Sequence, residues 1–145
     1  MGQEITGQKI TGHKTTDQAS PKPRIALIVE DDAEIRWLTA ALLEESDLDT
    51  IELESAEAAL ATLILNGRDV ALIFADIQLA GVMDGVDLAR EAKLRWPHLI
   101  VILTSGYPDE RLGHLPPGVD YMPKPWQPLN VLMAAERARS TGPGR

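Results

Sequence analysis

The chain has 145 residues, which is the length of one ordinary domain and leaves no room for two separate hydrophobic cores. Hydrophobic residues make up 44% of the chain and charged residues 25%, a balance typical of a globular protein. The 22 acidic residues outnumber the 14 Lys and Arg residues, and the net charge of -8 argues against a broad electrostatic contact with nucleic acid or an anionic membrane.

Several protein classes are excluded by what the sequence lacks. Because the chain has no cysteine, it has no disulfide scaffold, thiolate metal site or cysteine nucleophile. No apolar stretch approaches the roughly 18 residues of a membrane-spanning helix, and residues 1–24 lack the apolar core of a secretory signal. We therefore expect a cytoplasmic protein that contacts neither membranes nor nucleic acid, with a disordered tail over residues 1–24.

Three continuous apolar runs predict buried β-strands at residues 25–29, 70–75 and 99–103. Continuous apolarity means that both faces of a strand are buried, as in a parallel sheet covered by helices. Two weaker runs, residues 50–54 and 119–122, alternate with acidic residues or are very short. We expect these two runs to be the edge strands of the same sheet.

The segments between the predicted strands have helical periodicity. Asp32 and Ser55 are the expected N-caps of the first two helices, and Pro97 ends the third. A fourth segment near residues 108–112 is short and poorly patterned, and the last helix begins near Pro128. The order is (βα)5, and right-handed crossovers make this an α/β fold with a doubly wound parallel five-stranded sheet.

Polar side chains follow four of the predicted strands, at the edge where open parallel sheets bind ligands. Each such residue alone has an ordinary explanation, such as a helix cap, a turn former or a surface lysine. Because they converge on one edge of the sheet, they are candidates for a functional site. The residues are Glu30, Asp31 and Asp32 after the first strand, Asp76 after the third, Thr104 after the fourth and Lys124 after the fifth.

This combination of groups suits phosphoryl chemistry that depends on a divalent cation. Clustered carboxylates favour a hard cation such as Mg²⁺ over a soft metal. Lys124 and the Thr104 hydroxyl can each hold a phosphoryl oxygen. Asp76, at the centre of the sheet, is the predicted nucleophile, and its attack on phosphorus would form an acyl phosphate on the protein.

Residues 25–139 resemble the receiver domain of two-component response regulators. Each motif is weak singly, but five motifs in order at compatible spacing make the resemblance specific. The motifs are IVEDD at 28–32, ADI at 75–77, MDG at 83–85, ILTSG at 102–106 and YMPKP at 121–125. The resemblance implies a flavodoxin-like strand order 2-1-3-4-5, and a receiver domain over residues 25–140 followed by a short tail at 141–145.

The resemblance also implies a phosphoacceptor and a metal site. Receivers accept a phosphoryl group from a histidine kinase or a histidine phosphotransfer protein, and Asp76 matches the acceptor. Glu30 and Asp31 match the acidic pair, with Asp31 and Asp76 contacting Mg²⁺ and the backbone carbonyl of Gln78 completing the protein ligands. Such a protein is a phosphorylation switch rather than an enzyme with a separate substrate.

Three further residues match the family's switch machinery. Lys124 matches the motif lysine, Thr104 the switch hydroxyl, and Tyr121 the switch aromatic whose rotamer reports phosphorylation. On this interpretation Thr104 moves inward to the phosphoryl group and vacates space for the Tyr121 ring. The alternative for Tyr121 is a plain packing role on the edge strand.

One stretch departs from the family pattern. After the acceptor, Ala80 stands where receivers commonly have proline, and the loop is one residue longer. Similar longer loops occur in receivers attached to, or serving, sensor kinases. The loss of a fixed φ predicts a looser loop beside Asp76.

The favoured interpretation is a stand-alone receiver that signals by protein contact or phosphorelay, through the face of the last two strands and helices. A receiver from a hybrid sensor kinase, and a homodimer, stay open as alternatives. A haloacid-dehalogenase-like phosphatase would need a second acid where Gln78 stands. A flavin-binding flavodoxin-like protein would need a loop rich in Ser, Thr and Gly after the first strand. This chain has the three carboxylates of residues 30–32 there, and they would reject a phosphate group.

Overall fold

The computed structural model describes residues 23–140, which form a five-stranded parallel sheet with helices on both faces. The strand order is β2-β1-β3-β4-β5, so the predicted doubly wound fold is confirmed. The strands are β1 Ile25–Val29, β2 Asp49–Leu53, β3 Val70–Asp76, β4 Ile100–Ser105 and β5 Val119–Pro123. The α-helices are α1 Ala33–Glu44, α2 Ala56–Asn66, α3 Gly85–Arg95 and α4 Pro128–Ser140.

The continuous apolar runs are buried because each face of the sheet is covered by a pair of helices. All seven residues of β3, the central strand, are buried. Alternate residues of the strands pack against α2 and α3 on one face, and the others pack against α1 and α4 on the opposite face. The two weaker runs form β2 and β5, which lie at the two edges of the sheet.

Side-chain caps begin the first three helices. Asp32 accepts hydrogen bonds from the backbone N–H groups of Glu34 and Ile35, and Ser55 accepts one from Ala58, as the sequence predicts. Asp84 and Asp87 form a reciprocal capping box at the start of α3. Each cap contributes about 1 kcal/mol to helix stability. In the described part of the chain, no helix has both the length and the apolar character needed to span a membrane.

The crossover from β4 to β5 contains no α-helix. The short segment predicted near residues 108–112 forms a 3₁₀-helix, Glu110–His114, capped by the Asp109 side chain. Proline and glycine in this connection disfavour a longer helix. Leu112 and Leu115 nevertheless pack against the core on the α2 and α3 face, so this short segment covers the sheet near β5.

The predicted tails, residues 1–24 and 141–145, fall outside the described residues except for Pro23 and Arg24. Pro23 is buried, and the backbone N–H of Arg24 donates to the carbonyl of Asp69 at 3.0 Å. Backbone pairing with the sheet region therefore begins just before β1.

Candidate functional site

Lys124 connects two buried carboxylates at the carboxyl edge of the sheet. Its Nζ lies 2.8 Å from Asp76 Oδ2 and 3.2 Å from Glu30 Oε1. The side chains of Glu30 and Asp76 are only 6% and 9% exposed, and that of Lys124 is 22% exposed. The ends of β1 and β3 and the segment after β5 meet here because the strand order brings them to one edge.

The second oxygen of each buried carboxylate is held by the backbone. Glu30 Oε2 accepts a hydrogen bond from the N–H of Asp32 at 3.1 Å. Asp76 Oδ1 accepts one from the N–H of Gln78, also at 3.1 Å. These bonds and the shared lysine orient both carboxylates and satisfy part of their hydrogen-bonding capacity.

Asp31 completes the acidic cluster, by which we mean Glu30, Asp31 and Asp76. One carboxylate oxygen from each residue lies within 4.8 Å of the other two, and Asp31 is exposed to solvent. Three carboxylates opposed by Lys124 leave a net negative charge that a divalent cation would neutralise. Carboxylate oxygens grouped so closely are the donors that Mg²⁺ prefers, so the residues present fit this ion.

Burial and charge shift the pKa values of two groups in the site. Burial raises the pKa of Glu30, and the negative charge of Asp76 adds to this effect. Burial alone would lower the pKa of Lys124, but the hydrogen bond and charge of Asp76 and the charge of Glu30 outweigh it and raise that pKa. Lys124 is therefore a permanent cation at neutral pH.

Thr104 lies next to Asp76 in the β3–β4 register, and its side chain is buried. Its Oγ1 has no hydrogen-bond partner among residues 23–140. Buried hydroxyls in proteins almost always have a partner, so this free hydroxyl beside Asp76 is unusual. It is available to a ligand oxygen that binds at the edge of the sheet.

Ser105, the residue after Thr104, forms hydrogen bonds with three segments of the site. The Ser105 hydroxyl hydrogen-bonds with the Gln78 side chain at 2.7 Å and accepts the N–H of Tyr107 at 3.0 Å. The carbonyl of Ser105 accepts the phenolic hydroxyl of Tyr121 at 3.1 Å. Tyr121 also packs against the core, which is the plain packing role considered for it, and its role as the switch aromatic stays a prediction.

Glycine is required at the junction of β3 and α3. A Cβ atom on Gly85 would lie 2.3 Å from the carbonyl oxygen of Asp76. The N–H of Gly85 donates to the carbonyl of Ile77 at 3.0 Å, which closes the connecting loop. The glycine of the MDG motif thus permits close backbone approach directly behind Asp76.

Two contacts around the site were not found from the sequence. Glu57 Oε2 accepts the N–H groups of Val82 and Met83 at 2.9 and 2.8 Å. Arg111 in the 3₁₀-helix contacts Asp84 at 2.7 Å. Both contacts join residues 25 or more positions apart, so no local pattern in the sequence predicts them.

The fold and the acidic site together define an α/β signalling domain of the receiver class. The sequence profile of the response regulator receiver domain matches residues 26–136, and the chain belongs to that family. This match confirms the resemblance drawn from the five motifs, and it identifies the chain as a two-component receiver.

Curated relatives include longer regulators. The chain is 38% identical to the transcriptional regulatory protein AruR of Pseudomonas aeruginosa over 137 residues, which are 85% of this chain and 55% of AruR. It is 34% identical to the DNA-binding transcriptional regulator NtrC of Klebsiella pneumoniae over 119 residues, 80% of this chain and 25% of that protein. The chain therefore spans about half or less of the length of these relatives.

Solved structures share the fold. A receiver domain protein from Clostridium thermocellum has a TM-score of 0.71 at 23% identity, covering 79% of this chain and 93% of that chain. A sensor protein from Polaromonas sp. JS666 has a TM-score of 0.68 at 28% identity, covering 82% of this chain and 97% of that chain.

Proposed function

We propose that this protein accepts a phosphoryl group on Asp76 from a histidine kinase or a histidine phosphotransfer protein, in a reaction that depends on Mg²⁺. The observation that carries the proposal is the pairing of Asp76 with Lys124 at 2.8 Å beside the unpartnered Thr104 hydroxyl. A carboxylate, a fixed cation and a free donor are the groups that an acyl phosphate requires.

The transfer itself needs one nucleophile. A carboxylate oxygen of Asp76 attacks the phosphorus of the phosphohistidine, and an O–P bond forms as the P–N bond breaks. The electron pair of the broken bond returns to the imidazole nitrogen, which takes up a proton from solvent. Lys124 then pairs with a phosphoryl oxygen. Mg²⁺, held by Asp31, Asp76 and the Gln78 carbonyl with Glu30 beside it, would supply neutralisation of the phosphoryl charge.

Phosphorylation replaces the single negative charge of the carboxylate with about two negative charges on the phosphoryl group. The Thr104 hydroxyl, which has no partner among the described residues, donates to the new phosphoryl oxygens. Movement of Thr104 changes the space beside Tyr121, whose hydroxyl bonds the neighbouring carbonyl of Ser105 at 3.1 Å. Tyr121 is therefore the proposed reporter of phosphorylation to a downstream protein through the β4, β5 and α4 face.

An apolar groove beside Lys124 supports docking of the phosphodonor protein. Ile35 and Leu38 of α1 and Pro125 and Trp126 line a cavity of about 390 Å³ that Lys124 also borders. Trp37, on the same helix, is 63% exposed. A protein that covers this groove would bring its histidine to the edge that holds Asp76.

The favoured form of the proposal is a receiver that acts alone and signals by protein contact or phosphorelay. It would act in the cytoplasm, as a monomer or a homodimer. The excess of acidic over basic residues supports a receiver segment that does not itself contact nucleic acid. The similarity to the Polaromonas sensor protein favours a second candidate, a receiver that belongs to a hybrid sensor kinase.

The acceptor is tested by incubation with Mg²⁺ and acetyl phosphate, followed by intact-mass measurement. The wild type should gain the mass of one phosphoryl group, and Asp76→Asn should abolish the gain. Asp69→Asn, at an exposed turn, is the matched control and should be labelled like the wild type. Labelling that survives Asp76→Asn would assign the acceptor to another residue.

A further inference from the structure

The loop between β3 and α3, residues 77–84, is anchored from outside by one carboxylate. Glu57 Oε2 accepts the N–H of Val82 at 2.9 Å and the N–H of Met83 at 2.8 Å. Two consecutive amides that share one carboxylate oxygen form a charge-assisted clamp. The hydrogen bond from Met83 lowers the pKa of Glu57, so the clamp is ionised at neutral pH.

The anchor belongs to a rigid element. Glu57 lies in the first turn of α2, two residues after the Ser55 cap. Ala56, Ala59 and Leu63 bury the inner face of this helix against the sheet. The position of the carboxylate is thus set by the packed core, and the loop takes its position from α2.

The loop is shaped to fit this carboxylate. Gly81 has a φ of +107°, a conformation that side chains other than glycine rarely adopt. A Cβ atom on Gly81 would also lie 2.8 Å from Glu57 Oε1. Gly81 thus lets the loop approach Glu57 closely enough for the two amides to reach its carboxylate.

The same loop carries the backbone carbonyl that is assigned to Mg²⁺. Gln78 is tied through its N–H to Asp76 and through its side chain to Ser105. At the other end of the loop the two clamped amides are held by Glu57. Removal of the Glu57 carboxylate would take away one of the contacts that hold this end of the loop, the others being the Gly85–Ile77 hydrogen bond and the Arg111–Asp84 ion pair.

We propose that Glu57 is a positioning residue for the metal site: by clamping the amides of Val82 and Met83, it keeps the Gln78 carbonyl available to Mg²⁺. This inference rests on the proposed function, in which Gln78 is a metal ligand. Glu57 does not touch the ion. Its contribution is the conformational order of the loop, which the ion would otherwise have to impose on binding.

The test measures Mg²⁺ affinity directly, by calorimetric titration of the unphosphorylated protein. Glu57→Ala should weaken Mg²⁺ binding about tenfold, at the low end of the range for contacts that orient a ligand from outside. Glu57→Gln keeps an acceptor oxygen at the same reach and should recover most of the affinity. In Glu57→Ala, phosphorylation by acetyl phosphate should be slower than in the wild type at low Mg²⁺. It should return to the wild-type rate at saturating Mg²⁺.

The control variant is Glu34→Ala. Glu34 occupies the same position of α1 that Glu57 occupies of α2, two residues after the cap, and it is exposed. Its removal deletes the same charge and the same helix-terminus interaction, and it should leave Mg²⁺ affinity unchanged. Gly81→Ala, which perturbs the clamp from the loop side, should weaken Mg²⁺ binding as Glu57→Ala does.

Three outcomes would overturn the inference. The first is unchanged Mg²⁺ affinity in Glu57→Ala. The second is an equal loss of Mg²⁺ affinity in Glu57→Gln and Glu57→Ala, which would show that Glu57 acts through its charge rather than through its hydrogen bonds. The third is a reduced phosphorylation rate that saturating Mg²⁺ does not restore. Failure of the proposed function has a different signature, because the wild type would then not be labelled on Asp76.

Discussion

Lys124 and Asp76 form an ion pair of 2.8 Å at the carboxyl edge of the sheet, although they are 48 residues apart in the chain. Lys124 also reaches Glu30 at 3.2 Å, so one ammonium group compensates two buried carboxylates. This arrangement places a cation beside the carboxylate that we propose as the phosphoryl acceptor. It also makes the stability of the site depend on Lys124.

Replacement of Lys124 should therefore destabilise the protein as well as impair phosphorylation. Lys124→Met leaves two buried carboxylates without their shared donor, and we expect the free energy of unfolding to fall by roughly 1–3 kcal/mol. Urea unfolding at neutral pH measures the loss, and added Mg²⁺ should restore part of it. Arg90→Met, at an exposed position of α3, is the control and should change little.

Replacement of Thr104, unlike that of Lys124, should not lower the free energy of unfolding. Because its buried hydroxyl has no partner among the described residues, Thr104→Val should leave the unfolding free energy unchanged or raise it by about 1 kcal/mol. The same variant should lose the response of Tyr121 to phosphorylation, measured by tyrosine fluorescence before and after treatment with acetyl phosphate. A marked loss of stability would mean that the hydroxyl is bonded in solution.

Gly85 and Gly106 form a matched pair of glycines near the site. A methyl group on Gly85 would meet the Asp76 carbonyl oxygen at 2.3 Å, whereas one on Gly106 would meet no atom within 4 Å. Gly85→Ala should lower the unfolding free energy by about 3 kcal/mol, as overpacking of a backbone contact does, and should reduce labelling of Asp76. Urea unfolding of both variants checks this, and equal behaviour of the two would contradict the close approach.

Asp109 should contribute a pH-dependent component of stability. Its hydrogen bonds with the Arg111 side chain and backbone lower its pKa from 3.8 to about 2. A carboxyl whose pKa is lower in the folded state stabilises the protein above about pH 4 and loses that effect as the pH falls towards 2. Unfolding measured over this range should show a smaller pH dependence in Asp109→Asn than in the wild type. An unchanged profile would show that the Arg111 pairing does not persist in solution.

Local patterns in the sequence were sufficient for most of the fold. Continuous apolar runs identified β1, β3 and β4 because a strand buried on both faces has no polar alternation. Asp32 and Ser55 identified two helix starts because a cap acts within three residues. Most candidate site residues also followed from position, because every parallel strand delivers its last residues to the same edge, whereas Gln78 and Tyr121 came from the family resemblance.

The tertiary structure decided what depends on contacts between distant residues. The sequence could not show that one lysine serves both Glu30 and Asp76, nor that Glu57 holds the loop where Ala80 stands. For the β4–β5 connection the sequence predicts only a short, poorly patterned helix, and the structure has a 3₁₀-helix there with Arg111 bonded to Asp84. These features depend on strand order and on the paths of loops, which are set by packing of the whole domain rather than by the pattern of neighbouring side chains.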